Sequence, residues 1–283
     1  MILVTGATGN VASLLIPALL EDGQKVRALI HDESKARSLS DLGAEVVIGD
    51  MEKAETLEAA VAGVDKIYLI TSNGEAGAQQ ARNVIKAVKG SEKPHIVRQS
   101  GYGTSKCRMI AQHEDIEREL QDSGLPYTIV KPTFFMQNVM MSAQTVASDG
   151  AMYVPLGDGR IGMVDVRDVA DVAFKVLISE GHEGKTYVLT GPAAISHHEV
   201  AGELSKAISK EVTYIDVPSQ AMRDALLEMG MPDWTIEAYV ELFEGFKEGY
   251  ADLTTPSVEQ LTGHPARSFE TFARDFADAF RAN

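Results

Sequence analysis

Two short stretches of this 283-residue chain hold residue types that could do chemistry. The first is Thr5-Gly6-Ala7-Thr8-Gly9-Asn10-Val11. Ile2, Leu3 and Val4 before it form a short apolar run, as in a strand buried on both faces. Val11, Leu14, Leu15, Ala18 and Leu19 repeat at helical spacing. Strand, glycine turn and helix start follow directly, the context that a dinucleotide fingerprint requires. Glycines let the backbone turn tightly toward a diphosphate, and the helix start offers N–H groups and a positive dipole end. The glycine spacing is wider than in G-x-G-x-x-G, with Ala12 in the third small position. The second stretch is Tyr102-Gly103-Thr104-Ser105-Lys106. On a helix, Tyr and Lys at this spacing share a face, and the ammonium lowers the phenol pKa for proton exchange. Here Tyr102 follows a strand directly and Gly103 disfavours a helix start, so a loop is expected.

The elements that position these stretches read as alternating strands and helices. The first helix carries Pro17, expected to kink it, and stops at Gly23. Strands are expected at Lys25–Ile30, Glu45–Ile48, Lys66–Ile70, His95–Ser100, Tyr127–Val130 and Lys185–Thr190. Helices fall between them at Glu55–Val61, Ala78–Lys89, Ile110–Gln121 and Val169–Ile178. This is the pattern of an α/β, doubly wound parallel sheet. Ligands in such sheets lie outside the carboxyl ends of the strands, which places Thr71 and Ser72 beside a bound dinucleotide. The end of the second strand meets the adenosine ribose. An acid there favours NAD, whereas a cation pairs with a 2′-phosphate and favours NADP. The sequence offers His31-Asp32-Glu33-Ser34-Lys35-Ala36-Arg37. Beyond Gly191 the chain is mostly helical. Ser196 and Glu199 form a capping box around His197 and His198, which point different ways and lack a third ligand, so no metal is expected. Val212–Val217 is a strand, and Met222–Met231 and Trp234–Gly249 are Met- and aromatic-rich helices that suggest a lid or a partner surface. Phe269, Phe272, Phe276 and Phe280 form one helical stripe.

Three segments, Thr5–Val11, Lys131–Asn138 and Val164–Ala170, resemble the atypical and extended short-chain dehydrogenases. Within them the chain is similar to the NmrA-like group, which includes bacterial quinone and triphenylmethane-dye reductases. The likeness spans nearly the whole chain. It implies a Rossmann domain over 1–133 plus 164–190, a discontinuous α+β substrate lobe over 134–163 plus 191–265, a C-terminal helix over 266–283, and an active cleft between the lobes. It implies cofactor contacts from Gly6, Thr8, Gly9, Asn10, Val11, His31, Lys35, Asp50, Met51, Thr71, Ser72, Ser100, Lys131 and Thr133. His31 stands where the family usually has an arginine; Lys35 matches the family's lysine. Asp50 and Met51 would border the adenine, with capping of the helix Glu55–Val61 the plainer role for Asp50. Substrate contacts fall on Tyr102, Phe134, Phe135, Asn138 and Trp234. The family's tyrosine and lysine positions map to Met109 and His113, so the catalytic dyad is absent. The candidate catalytic residues are Tyr102 and His113, and pairing with Glu117 is the plainer role for His113. Asp165 and Asp168 are expected as caps and partners of Arg167. The implied function is an NAD(P)H-dependent oxidoreductase, NADP(H) favoured over NAD(H), that transfers hydride to a quinone-like or other conjugated aromatic acceptor. The alternative is a non-catalytic redox sensor acting through a protein partner; an isomerase or epimerase is disfavoured by the missing dyad.

Composition sets bounds. With 45% hydrophobic residues the chain can bury a full core. The net charge of −15, from 26 basic and 41 acidic residues, repels phosphate backbones and argues against a nucleic-acid partner. An anionic cofactor then needs local positive groups. The single cysteine, Cys107, excludes an intrachain disulfide framework and fits a reducing compartment. No apolar run reaches membrane-spanning length, and the chain opens on a strand; a cytoplasmic monomer or homodimer is expected.

His31→Arg should increase the preference for NADPH over NADH, because a guanidinium pairs with phosphate bidentately and keeps its charge at neutral pH. Calorimetric Kd values for both dinucleotides check this. An unchanged ratio would mean that this loop does not read the phosphate.

Overall fold

The computed structural model describes residues 1–88 and 93–281; Lys89, the expected end of one helix, lies outside the described residues. In order come β1 (Ile2–Val4), α1 (Ala12–Glu21), β2 (Val26–Ile30), α2 (Ala36–Asp41), β3 (Glu45–Ile48), α3 (Glu58–Val61) and β4 (Lys66–Leu69). Next are α4 (Gly77–Val88), β5 (His95–Gln99), α5 (Arg108–Asp122), β6 (Tyr127–Pro132), α6 (Ala143–Asp149), β7 (Ala151–Val154) and β8 (Arg160–Ile161). The chain continues through α7 (Val166–Ile178), β9 (Lys185–Leu189), β10 (Ile195–Ser196), α8 (His197–Ile208) and β11 (Thr213–Asp216). It ends with α9 (Ser219–Glu228), α10 (Asp233–Lys247), α11 (Ser257–Thr262) and α12 (Phe269–Asp275).

The main sheet has seven strands in the order β3-β2-β1-β4-β5-β6-β9. The pairs from β3 to β6 are parallel. The order reverses at β1, the switch point of a Rossmann fold. Ile2, Leu3 and Val4 are buried on both faces, which is why the run is continuously apolar rather than alternating. In α1 the buried Ala12, Leu15, Ile16 and Leu19 form one stripe, and the helix continues through Pro17. Gly23 follows it at φ +80°, the left-handed position that ends a helix without a Cβ penalty.

Two compact units divide the chain. The first comprises Met1–Gly101, Gln112–Lys131 and Val169–Tyr187. One side of its core joins Leu3, Leu29, Ile67 and Leu69 to the buried faces of α3, α4 and α5. The second comprises Tyr102–Ala111, Pro132–Asp168 and Val188–Asn283. Two small sheets belong to it: β7 with β11 in parallel and β8 with β10 antiparallel. Its core gathers Phe134, Met152, Leu204, Phe243, Phe246 and the phenylalanine stripe. Phe269, Phe272 and Phe276 stack successively, with ring centroids 5.3 and 4.9 Å apart. The Ser196–Glu199 capping box opens α8 as expected. Met222–Met231 becomes α9, three residues earlier, and Trp234–Gly249 becomes α10.

Several local readings are corrected. Asp50 caps no helix: Glu55–Val61 splits into a 3-10 turn and α3, and Asp50 Oδ1 accepts from Glu52 N–H at 2.9 Å. Asp165 does pair with Arg167, at 2.7 Å, but Asp168 pairs with Arg267. Asp168 is fully buried, so its charge requires a partner brought from the far end of the chain.

The turn after β1 depends on close approach. Gly6 lies at φ +57°, and a Cβ there would sit 3.2 Å from Ile70 Cβ. Gly6→Ala should therefore lower unfolding free energy by about 1–2 kcal/mol from the backbone conformation alone. Urea denaturation measures this; an unchanged midpoint would show that the turn relaxes freely.

Candidate functional site

The carboxyl ends of β1, β2 and β4 open into a cleft of about 620 Å³, wholly within the first unit. Thr5 lies just behind its lining and braces it. The Thr5 hydroxyl donates to Ile70 O at 2.7 Å and accepts from Ile70 N–H at 2.8 Å. This holds the end of β1 against the end of β4 and turns the chain away at Gly6. Gly9 N–H donates to Gly6 O at 2.9 Å, closing the turn. α1 then begins at Ala12 with no side-chain cap; Ser13 N–H is taken by Gly9 O at 2.9 Å and Leu14 N–H by Val11 O at 3.1 Å, which leaves the N–H groups just before Ser13 to water or to a ligand. Gly49 is equally constrained, since a Cβ there would lie 2.9 Å from Thr56 O.

Of the expected cofactor residues, Gly6, Thr8, Gly9, His31, Lys35, Asp50, Met51, Thr71 and Ser72 line this cleft. Asp32 lines it too, but its carboxylate accepts from Ser34 N–H at 3.0 Å, and the Ser34 hydroxyl together with that N–H holds it below the usual range. Ser72 N–H is fixed by Gln80 Oε1 at 2.9 Å. The open cleft, bare helix start and adjacent Lys35 suit an anionic dinucleotide in chemistry and size.

The other five lie elsewhere. Asn10 O accepts from Ser13, and Val11 is buried against the core. The Thr133 hydroxyl donates to the Gly162 and Leu189 carbonyls, in the second unit. Ser100 and Lys131 both bind Glu117, at 2.5 and 3.0 Å. The expected pairing of His113 with Glu117 is thus replaced. His113 Nδ1 instead accepts from Arg98 Nη2 at 3.1 Å.

Arg98 was legible only as part of a strand, yet it is 1% exposed and organises this region. It donates to Leu69 O at 3.1 Å and to Thr71 Oγ1 at 3.0 Å. Its Nε has no partner among the described residues. Burial lowers its pKa to about 10, so it remains a cation at neutral pH. Because Thr71 Oγ1 accepts from Arg98, its own proton is left to donate. Because His113 Nδ1 accepts, its ring proton sits on Nε2. Burial, with Arg98 and Lys131 nearby, pushes the His113 pKa down to about 3. His113 is therefore a neutral, anchored ring at neutral pH.

Tyr102 lies in a loop of the second unit, its N–H donating to Pro132 O at 2.9 Å. A Cβ at Gly103 would meet Ile110 Cγ1 at 2.9 Å, and α5 starts only at Arg108. Lys106 pairs with Glu248 at 2.9 Å. Tyr102 and Lys106 thus share no helix face.

The second unit holds its own cavity of about 420 Å³. Phe134 and Asn138 line it, as do His197, Tyr239 and Phe243, which the sequence had not singled out as site residues. Phe135 pairs with Val164 in an isolated bridge, and Trp234 packs against the core; neither lines the cavity. His197 is 2% exposed, its Nδ1 has no partner among the described residues, and burial lowers its pKa to about 4.

The strand order, glycine turn and cleft define a Rossmann-type protein with a dinucleotide-shaped site. The NmrA-like family pattern matches residues 1–273, and the chain belongs to that family. It is 36% identical over 285 residues to an NAD(P)H azoreductase of Xenophilus azovorans, covering 100% of both chains. It superposes on a structure of an NADPH-dependent quinone oxidoreductase from Escherichia coli complexed with NADPH, with TM-score 0.89, 30% identity and coverage of 98% and 99%. A Citrobacter sp. triphenylmethane reductase complexed with NADP(H) matches with TM-score 0.87, 27% identity and coverage of 98% and 100%. Among the described residues no helix is long and apolar enough to cross a membrane.

Burial lowers the pKa of four histidines, His95, His113, His182 and His197, and the two lowered furthest, His113 and His197, make stability pH-dependent. Below pH ~6.5 the unfolded chain protonates them while the folded chain does not, so stability falls as pH drops. Each should cost about 2 kcal/mol at pH 5. His113→Asn, which keeps an acceptor for Arg98, should flatten the decline in urea-derived stability between pH 7 and 5. An identical slope would show that His113 titrates normally.

Proposed function

We propose that the protein is an NAD(P)H-dependent reductase of quinone-like or other conjugated aromatic acceptors. The observation that carries this reading is the first unit's cleft, whose glycine turn, bare helix start and Lys35 answer to the parts of a phosphorylated dinucleotide. Full-length relatives named as azoreductase and quinone oxidoreductase support the reaction class. When bound, the reduced nicotinamide supplies the hydride. The Gly6–Gly9 turn and the start of α1 would hold the diphosphate. Lys35 would attract a 2′-phosphate, with His31 beside it. Asp50 and Met51 would border the adenine. Thr71, held by Arg98, has a hydroxyl proton left to donate to the cofactor. In the second unit Phe134 and Asn138, which line the cavity, would face the acceptor. Conjugated acceptors take hydride without a dedicated acid when alignment is good, and solvent or Tyr102 delivers the proton.

Purified protein should oxidise NADPH faster with a quinone than without it. Tyr102→Phe should cost little if solvent protonates, against ~10²–10⁴-fold for loss of a general acid. Phe134→Ala should raise KM more than it lowers kcat, since an aromatic wall supplies mainly uniform binding. Tight dinucleotide binding with no turnover of any acceptor, together with a protein partner whose binding follows cofactor redox state, would replace the enzyme reading with a sensor.

A further inference from the structure

The cavity of the second unit contains no lysine, arginine, aspartate or glutamate in its lining. Its polar groups are neutral. The Asn138 amide and the Tyr239 hydroxyl make no hydrogen bond among the described residues, and His197 is uncharged at neutral pH because it is buried. Ser142, Thr145 and Tyr153 add neutral hydroxyls, and the rest is Phe, Met, Leu, Val, Ala and Pro. One wall is α9, which packs on α10. Over 219–247 these helices carry six carboxylates and two cations. Arg223 is spent on Glu237 at 2.8 Å and Arg108, from outside these helices, pairs with Glu241, which leaves four carboxylates against Lys247. An anion entering here finds no counter-charge and approaches through a negative field.

We infer that this cavity selects acceptors by charge: it takes flat, conjugated molecules that are neutral or cationic, and rejects those carrying a sulfonate or carboxylate. The inference rests on the reading of the cavity as the acceptor site of the proposed reductase. A neutral quinone fits every feature. Its ring replaces water against Phe134 and Phe243, and its carbonyl oxygens accept from the Asn138 amide or the Tyr239 hydroxyl. A cationic dye loses nothing electrostatically and gains from aromatic faces. A sulfonate on the same ring system must either be stripped of water without a partner or hold the ring partly outside.

The test compares 2-methyl-1,4-naphthoquinone with 1,4-naphthoquinone-2-sulfonate, binding each by calorimetry to the full-length protein without dinucleotide. The sulfonate should bind roughly 10²-fold more weakly, the scale of an uncompensated charge. Ala225 lines the cavity from an exposed position on α9, so substitutions there leave the core intact. Ala225→Arg should raise the sulfonate's affinity relative to the neutral quinone's, so that the ratio between the two narrows whatever the longer side chain costs both ligands in space. Ala221→Arg, on the same helix and also exposed, is the second carrier of the charge. Ala225→Trp should block the neutral quinone by filling space. Equal wild-type affinities, both lost in Ala225→Trp, would overturn charge selection while leaving the acceptor site in place. No binding of the neutral quinone, or binding untouched by Ala225→Trp, would overturn the site itself and the inference with it.

Discussion

The contact between the end of β1 and the end of β4 is the constraint on which the cleft depends. One hydroxyl makes it, since Thr5 both donates to and accepts from the backbone of Ile70. A β-strand ladder ends where its chain must turn, and its last polar groups then need other partners. Thr5 supplies them while buried, and the chain is free to leave the sheet at once. Gly6 completes the turn because only a residue without Cβ fits against Ile70 in the left-handed region. The order of strands reverses at this place, so a crevice opens beside it. The position of the cleft thus follows from topology, and its depth from two small residues.

A second constraint is the charge behind that cleft. The protein is strongly acidic, yet a guanidinium is buried at Arg98. Among the described residues its hydrogen-bond partners are a carbonyl, a hydroxyl and an imidazole nitrogen, and no carboxylate. Glu117, whose charge acts on it, is already bound by Lys131 and Ser100. The group is therefore left with positive charge in excess. A buried cation is tolerated when its donors are satisfied and its field finds an anion. Thr71 joins this network to the cleft, so an anionic ligand there would meet both a polarised hydroxyl and the field of Arg98.

How much of this was legible follows from how local each feature is. The glycine turn, the Ser196 capping box and the strand–helix alternation are set by residues within a few positions of each other, and periodicity exposes them. Arg98 meets His113 and Thr71 across 15 and 27 residues, and nothing in His95–Ser100 announces that one side chain faces inward to an imidazole. Ser100 and Lys131 were assigned to a cofactor by family resemblance, but a resemblance carries positions and not the partner chosen; here Glu117 stands between them. Asp168 shows the same limit, since its partner Arg267 lies 99 residues away. Phe134 and Asn138 were readable as one loop. His197 and Tyr239, from α8 and α10, were not readable as their companions in a cavity.

The two candidate sites differ in what recognises a ligand, and the difference follows from their secondary structure. The cleft lies at strand ends and a helix start, where backbone N–H groups are available and directional. Such a site is specific for phosphate geometry and needs few charged side chains, which suits a protein that has few cations to spare. The cavity is walled by side chains from α9, α10, β7 and the segment before α6. Met141, Met152, Met222 and Met229 line it, and methionine side chains adapt their shape at small cost. Shape discrimination is then weak, and charge is left as the main basis of choice. A chain built this way holds its cofactor by fixed hydrogen-bond geometry and admits its second ligand by exclusion of one kind of charge, which is the arrangement expected where one cofactor serves many acceptors.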